Sequence, residues 1–226
     1  FPQYVNDPVG FLTDVLGWTP WEKQREIAEA LVSDQRVTVA SCNGAGKTSL
    51  AARLLLWFLY TRRDATIVTT APTWGQVNMI WREVRSAWAD AGFHFPGELM
   101  TTRLEVSPTW LALGLSTDRE ERFQGYHARG ADPGGPGGLL VIVDEASGVA
   151  DGIYDAMRGY LTSANSYVLL TGNPNVARGA FWESFQRGNW RRFQISAHDV
   201  PEDIISREWI EEQLVYYGEG SHQVAV

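Results

Sequence analysis

The chain has 226 residues, 44% of them hydrophobic, which is enough for one sizeable α/β core. No run of about 18 apolar residues could cross a membrane as a helix, and a single cysteine, Cys42, excludes a disulfide within the chain and fits a reducing cytoplasm. The net charge of −8 argues against broad coating of a polyanion, yet it leaves room for a local basic groove at Arg62-Arg63, Arg119 to Arg129 or Arg187 to Arg192, and the four scattered histidines offer no zinc-like spacing.

In chain order, the first expected helix covers 20–33, with Thr19 as its cap and Pro20 at its first position. Gln24 lies on it, within Gly17-Trp18-Thr19-Pro20-Trp21-Glu22-Lys23-Gln24. A glutamine amide donates and accepts at once, so it can read an adenine edge between Pro20 and the tryptophans; an exposed Gln on an ordinary amphipathic helix is the alternative. A strand over 36–40 and a helix over 47–62 follow, joined by Ser41-Cys42-Asn43-Gly44-Ala45-Gly46-Lys47-Thr48 and extended by Ser49. Ala65 to Thr70 is the next expected strand, and Pro72-Thr73 opens a long helix. Trp74, Val77, Trp81, Val84 and Trp88 recur on that helix at helical spacing, as a core-facing stripe does. Thr70-Ala71-Pro72-Thr73 with Gln76 ends the strand in polar groups suited either to a phosphate backbone or to capping the helix.

Leu104 to Val106 and Trp110 to Leu115 read as two strands turned at Ser107-Pro108, and the Gly/Pro-rich residues 130–138 as a flexible surface loop. Leu139-Leu140-Val141-Ile142-Val143 is a strand buried on both faces, and it ends in Asp144-Glu145. A helix over 149–161, a strand from Tyr167 to Thr171, a short helix near 180–186, a strand from Arg192 to Ile195 and a helix from Ser206 to Tyr217 complete the chain. Alternating elements with continuous apolar strands imply an α/β fold with a doubly wound, mostly parallel sheet flanked by helices.

Residues 41–48 read as a phosphate-binding loop in which Ser41 stands at the usual opening glycine. A strand that turns sharply into a helix leaves successive N–H groups pointing inward, and the helix dipole adds positive potential. Gly44 and Gly46 let the backbone approach phosphates, Lys47 reaches the β- and γ-phosphates, and the Thr48 hydroxyl ligates magnesium. Asp144, at the carboxyl end of a buried strand, is positioned to hold that magnesium, and Glu145 to polarise an attacking water. An acid directly after the magnesium aspartate favours an ATPase that does mechanical work. Thr171 and Asn173 in Leu170-Thr171-Gly172-Asn173-Pro174 are candidate γ-phosphate sensors that pass hydrolysis to a moving element, with a bare Gly-Asn-Pro turn as the alternative. Among Arg119, Arg122 and Arg129, the last is the favoured arginine finger, a group worth about 10³–10⁵ in rate, with a simple surface arginine as the alternative.

The ordered set resembles the ATPase domain of the large terminase subunit of tailed double-stranded DNA bacteriophages. The matching order is Pro20…Gln24, the loop at 41–48, Ala71-Pro72-Thr73…Gln76-Val77, Val141 to Ala146 and Thr171-Gly172-Asn173-Pro174. The resemblance implies a P-loop NTPase fold of the ASCE type, ATP and Mg²⁺ as cofactors, Glu145 as catalytic base, Thr171 as coupling residue and Arg129 acting in trans. It also implies double-stranded DNA, a portal protein and a small terminase subunit as partners, and a homo-oligomeric, pentameric ring docked on the procapsid in the host cytoplasm. Residues 1–205 would form the motor domain and 206–226 a helix and linker toward a nuclease domain absent from this chain. Two departures stand out. The loop has no basic residue before Lys47, and no acidic metal cluster of a nuclease follows. The rivals are a superfamily-2 helicase-like translocase, which needs a second motor domain that nothing after residue 175 resembles, and a nucleotide-gated binding module with little turnover.

Overall fold

A computed structural model of the chain describes residues 1–116, 135–159, 161–186 and 188–217. Eight strands form one sheet: β1 (Arg36–Ser41), β2 (Thr66–Ala71), β3 (Glu98–Leu99), β4 (Arg103–Ser107), β5 (Trp110–Ser116), β6 (Leu139–Val143), β7 (Ser166–Gly172) and β8 (Arg191–Ile195). Their order is β3-β4-β5-β2-β6-β7-β1-β8. All pairings from β5 through β8 are parallel, and β3 and β4 add an antiparallel edge. The helices are α1 (Pro8–Gly10), which continues as a π-helical turn to Val15, α2 (Glu22–Asp34), α3 (Lys47–Thr61), α4 (Trp74–Asp90), α5 (Asp151–Arg158), α6 (Gly179–Gln186) and α7 (Arg207–Tyr217). No helix of the described residues is long and apolar enough to cross a membrane.

Continuous apolar strands are explained by two cores, one on each sheet face. Along β6, Leu140 and Ile142 join the core beneath α2, α3 and α4, whereas Leu139, Val141 and Val143 join the core beneath α5 and α6. Strand β7 divides the same way, Tyr167 and Leu169 against Val168 and Leu170. With side chains alternating at period two, a strand covered on both sides must be apolar at every position. This is the doubly wound sheet that the alternation of elements implied.

Four local expectations need correction. The first helix begins at Glu22, not at Pro20, because the Gln24 side chain accepts the Trp21 N–H at 3.2 Å and makes Trp21 the flanking residue. Trp74 does not share the core stripe: Val77, Trp81 and Val84 are buried, and Trp88 packs on the core, but Trp74, in the first turn, is 46% exposed. The helix expected over 149–161 is a short turn at Ala146–Gly148 followed by α5, which stops at Arg158 before Gly159. Finally, of the glycine run expected at the surface, residues 130–134 lie outside the described residues, and its last two glycines leave the surface. Gly137 and Gly138 are buried, and a Cβ at Gly138 would lie 3.0 Å from both Phe58 Cζ and Asn165 Oδ1.

The N-terminal segment, for which the sequence suggested no element, is stitched to α3. Trp57 Nε1 donates to Tyr4 O at 2.8 Å, and Arg62 Nη2 donates to Val5 O at 3.0 Å. Arg62 is buried among the rings of Trp57, Phe58 and Tyr167, so this part of the basic pair Arg62-Arg63 is structural rather than a surface cation. At the other end, α7 packs on the body through Ile210 and Trp209.

Candidate nucleotide site

The phosphate loop leaves β1 at its carboxyl end and enters α3, with Cys42 and Ala45 buried beneath and Asn43 and Gly44 exposed at the tip. Gly44 (φ 78°) and Gly46 (φ 77°) both adopt the left-handed conformation, which a Cβ would strain. Buried Ser41 donates its hydroxyl to Cys42 O at 3.1 Å, and the Cys42 N–H donates to Ile195 O at 2.9 Å, which ties the loop to β8. Ser41 therefore serves the opening position as a packed, internally bonded residue.

Lys47 Nζ donates to Cys42 O at 2.9 Å and to Asn173 Oδ1 at 2.8 Å, and Asn173 Nδ2 donates onward to Asn43 Oδ1 at 2.6 Å. The cation thus bridges the loop and the end of β7. Desolvation lowers its pKa, against the pull of Glu145 and Asp144. Asp144 is 4% exposed, and among the described residues no lysine or arginine forms a salt bridge with it. Its carboxylate instead accepts three hydrogen bonds: Thr48 Oγ1 to Oδ2 at 2.8 Å, Thr171 Oγ1 to Oδ1 at 2.7 Å and the Glu145 N–H to Oδ1 at 3.1 Å. Three elements, α3, β6 and β7, therefore converge on one carboxylate.

Glu145 follows in the left-handed region (φ 49°, ψ 44°), uncommon for a residue with a Cβ, and lines the cleft over the loop. Burial pushes its carboxyl pKa up, Lys47 opposes this, and Asp144 adds to it. Among the described residues no three His, Cys, Asp or Glu side chains cluster as a metal site. The oxygen pair Thr48–Asp144 at the loop end does fit magnesium, which commonly takes one or two carboxylates and completes its shell with phosphates and water.

An open cleft of about 380 Å³ spreads over the loop from Asn43 to Ser49 and is closed by Glu145 on one side and by Met79, Arg82 and Glu83 of α4 on the other. Sequence reasoning passed over these α4 residues because their role depends on how α4 lies against α3. The available signal was their spacing: 79, 82 and 83 fall on one helix face beside the apolar stripe. Arg53 was also passed over. It donates to Ser49 Oγ at 2.6 Å, pairs with Glu83 at 3.4 Å and stacks over Trp18 at 4.6 Å.

Gln24 does reach the site. Its Nε2 donates to Gly46 O at 3.3 Å while Oε1 holds the Trp21 N–H, so the buried amide braces the loop from below. Thr73 and Gln76 form a reciprocal cap on α4, with Gln76 N donating to Thr73 Oγ1 at 3.3 Å and Thr73 N to Gln76 Oε1 at 3.1 Å. Arg119, Arg122 and Arg129 lie outside the described residues.

A parallel sheet with this strand order, a glycine loop feeding α3 and an Asp-Glu pair two strands away make up the P-loop NTPase fold. Comparison with known structures sharpens this to the fold of large-terminase ATPase domains. The chain is similar to the large terminase ATPase domain of Thermus phage P74-26, with a TM-score of 0.75 at 19% identity over 96% of each chain. It also resembles a large terminase from a thermophilic bacteriophage in complex with ATP-γ-S, with a TM-score of 0.64 at 14% identity over 91% of this chain and 51% of that one. In sequence it is 29% identical, over 91% of its length, to the probable terminase large subunit of Enterobacteria phage P7. The chain spans 44% of that relative's length. No protein-family model matches it.

Proposed function

We propose that this chain is the ATP-hydrolysing motor domain of a viral DNA-packaging terminase, coupling Mg-ATP hydrolysis to movement of double-stranded DNA into a procapsid. The observation that carries the reading is the convergence of Thr48, Thr171 and Glu145 N–H on buried Asp144. It links the phosphate loop, the acid pair and the coupling strand in one hydrogen-bonded unit. The similarity to terminase ATPase domains supports the same reading.

In this mechanism the loop N–H groups and Lys47 bind the phosphates. To reach them, Lys47 exchanges Asn173 and Cys42 O for phosphate oxygens. Thr48 and Asp144 hold magnesium, which when bound neutralises charge on the phosphate oxygens. Glu145 orients a water and takes its proton, a task suited to a carboxylate whose pKa burial has raised. Loss of the γ-phosphate returns Lys47 to Asn173, and the shared carboxylate passes the change to Thr171 on β7. Arg129 from a neighbouring subunit is the candidate finger, which makes the active form a homo-oligomeric ring, in keeping with a pentamer. The portal protein and the small terminase subunit are the further partners of a ring that works in the host cytoplasm, docked on the procapsid.

Steady-state ATP hydrolysis against protein concentration, with Mg²⁺ and with and without double-stranded DNA, tests the reading. The parent should turn over, its specific activity should rise with concentration and with DNA, and Glu145→Gln should lose about 10²-fold or more. Equal turnover by both proteins, or none at any concentration, would refute it.

A further inference from the structure

Polyphosphate has to enter a cleft that is short of positive charge. The described residues lining it include two cations, Lys47 and Arg82, and two carboxylates, Glu83 and Glu145, and the Asp144 carboxylate is bonded to Thr48 beside them. With Arg82 left aside, Lys47 alone faces Glu145 and Asp144. The loop from Ser41 to Gly46 offers no other lysine or arginine. Bound magnesium offsets only part of the charge of a triphosphate, so a second cation in the cleft decides how well the outer phosphate is held.

Arg82 is free to be that cation. It is exposed, and it makes no hydrogen bond or ion pair among the described residues. The carboxylate beside it, Glu83, is engaged elsewhere: Arg53 Nη1 lies 3.4 Å from it, and Arg53 also donates to Ser49 Oγ and stacks on Trp18. Helix α4 is itself firmly seated. Val77, Trp81 and Val84 are buried, Trp81 Nε1 donates to Thr69 Oγ1 at 3.0 Å, and the Arg53–Glu83 pair ties α4 to α3. The Arg82 backbone is therefore placed at the cleft before any nucleotide arrives, and only its side chain has to be ordered on binding.

We propose that Arg82 binds the γ-phosphate of the nucleotide held by its own subunit, a cation in cis that is separate from the finger supplied by a neighbour. The inference rests on the reading of the loop as a Mg-ATP site. Loop N–H groups enclose the inner phosphates from the β1–α3 side, which leaves oxygens of the outer phosphate open toward α4. A guanidinium offers two parallel N–H groups that match two phosphate oxygens. Negative charge spreads over those oxygens as the bond to the leaving oxygen lengthens, so the contact strengthens in the transition state and raises turnover more than affinity.

The test is steady-state ATP hydrolysis with Mg²⁺ by the parent, Arg82→Lys and Arg82→Gln. Each is assayed alone and with an excess of Glu145→Gln, which has an intact Arg82 but lacks the base. Arg82→Gln should lose about tenfold to a hundredfold in kcat, and Arg82→Lys, which keeps the charge but not the fork, should lose less. Adding Glu145→Gln should not bring Arg82→Gln back toward the parent assayed in the same mixture, because no subunit then has both its own Arg82 and its own Glu145. A kcat for Arg82→Gln within about twofold of the parent makes Arg82 a solvated surface cation and overturns the proposal. Recovery in the mixture overturns it too, because Arg82 would then act on a neighbour. Either result leaves the Mg-ATP reading standing. A parent without turnover at any concentration overturns that reading, and the role of Arg82 with it.

Discussion

Replacing Thr171 with valine removes one hydroxyl and keeps nearly the same shape, so it isolates what that hydroxyl does for Asp144. The Thr171 side chain is 2% exposed, and its bond to Asp144 Oδ1 is 2.7 Å long. Water has little access to replace it, and a hydrogen bond to a charged group is worth about 1.5–3 kcal/mol net. For a chain of this size each kcal/mol shifts Tm by about 2–4 °C, so Thr171→Val should melt about 3–12 °C below the parent. Thr171→Ser, which restores the hydroxyl, should recover most of that loss. Turnover should fall more than nucleotide affinity, because the bond joins the acid pair to β7 rather than to the phosphates. Paired differential scanning calorimetry and nucleotide titration measure both effects. An unchanged Tm in the valine variant, or a serine variant no better than valine, would refute the idea that this hydroxyl supports the buried carboxylate.

Other perturbations separate stability from chemistry. Glu145→Gln should lose turnover yet raise Tm by about 1–3 °C at neutral pH by calorimetry. Burial raises the Glu145 pKa above its ordinary 4.5, so its stability contribution is full below the unfolded pKa and is lost as pH rises through the folded value. For the same reason the acid limb of the parent's pH–rate profile should lie above pH 4.5 and should vanish with the residual activity of the Gln variant. Gly114→Ala should destabilise by about 1–3 kcal/mol in urea unfolding, since the new Cβ would lie 2.6 Å from Trp81 Nε1 and 2.7 Å from Val77 Cγ1. Arg82→Gln, removing an exposed cation from the cleft rim, should weaken ATP-γ-S more than ADP, by about threefold to tenfold in a binding titration, without changing Tm.

The chemistry-bearing runs were legible because each is local. A glycine loop between a strand and a helix, and a buried strand ending in two acids, are contiguous in the chain, and their backbone geometry follows from residue type. The parallel sheet was legible for a related reason: five apolar residues in a row at 139–143 can be buried only if both faces are covered. The same local logic failed at the element ends. Helix α2 starts two residues late because a side chain three residues on, Gln24, supplies the cap.

Tertiary structure alone decided which distant groups share a bond. Thr48, Asp144 and Thr171 sit on three separate elements, and nothing in their spacing says that one carboxylate accepts both hydroxyls. Likewise Lys47 meets Asn173 only because β7 lies beside β1 in the sheet, and Arg82 reaches the cleft only because α4 packs along α3. Residue type and short-range backbone preference act within a few positions, so they mark out the loop, the acids and the strands. Which strand lies beside which, and so which side chain answers another, depends on burying two apolar faces at once, and only the whole chain can do that.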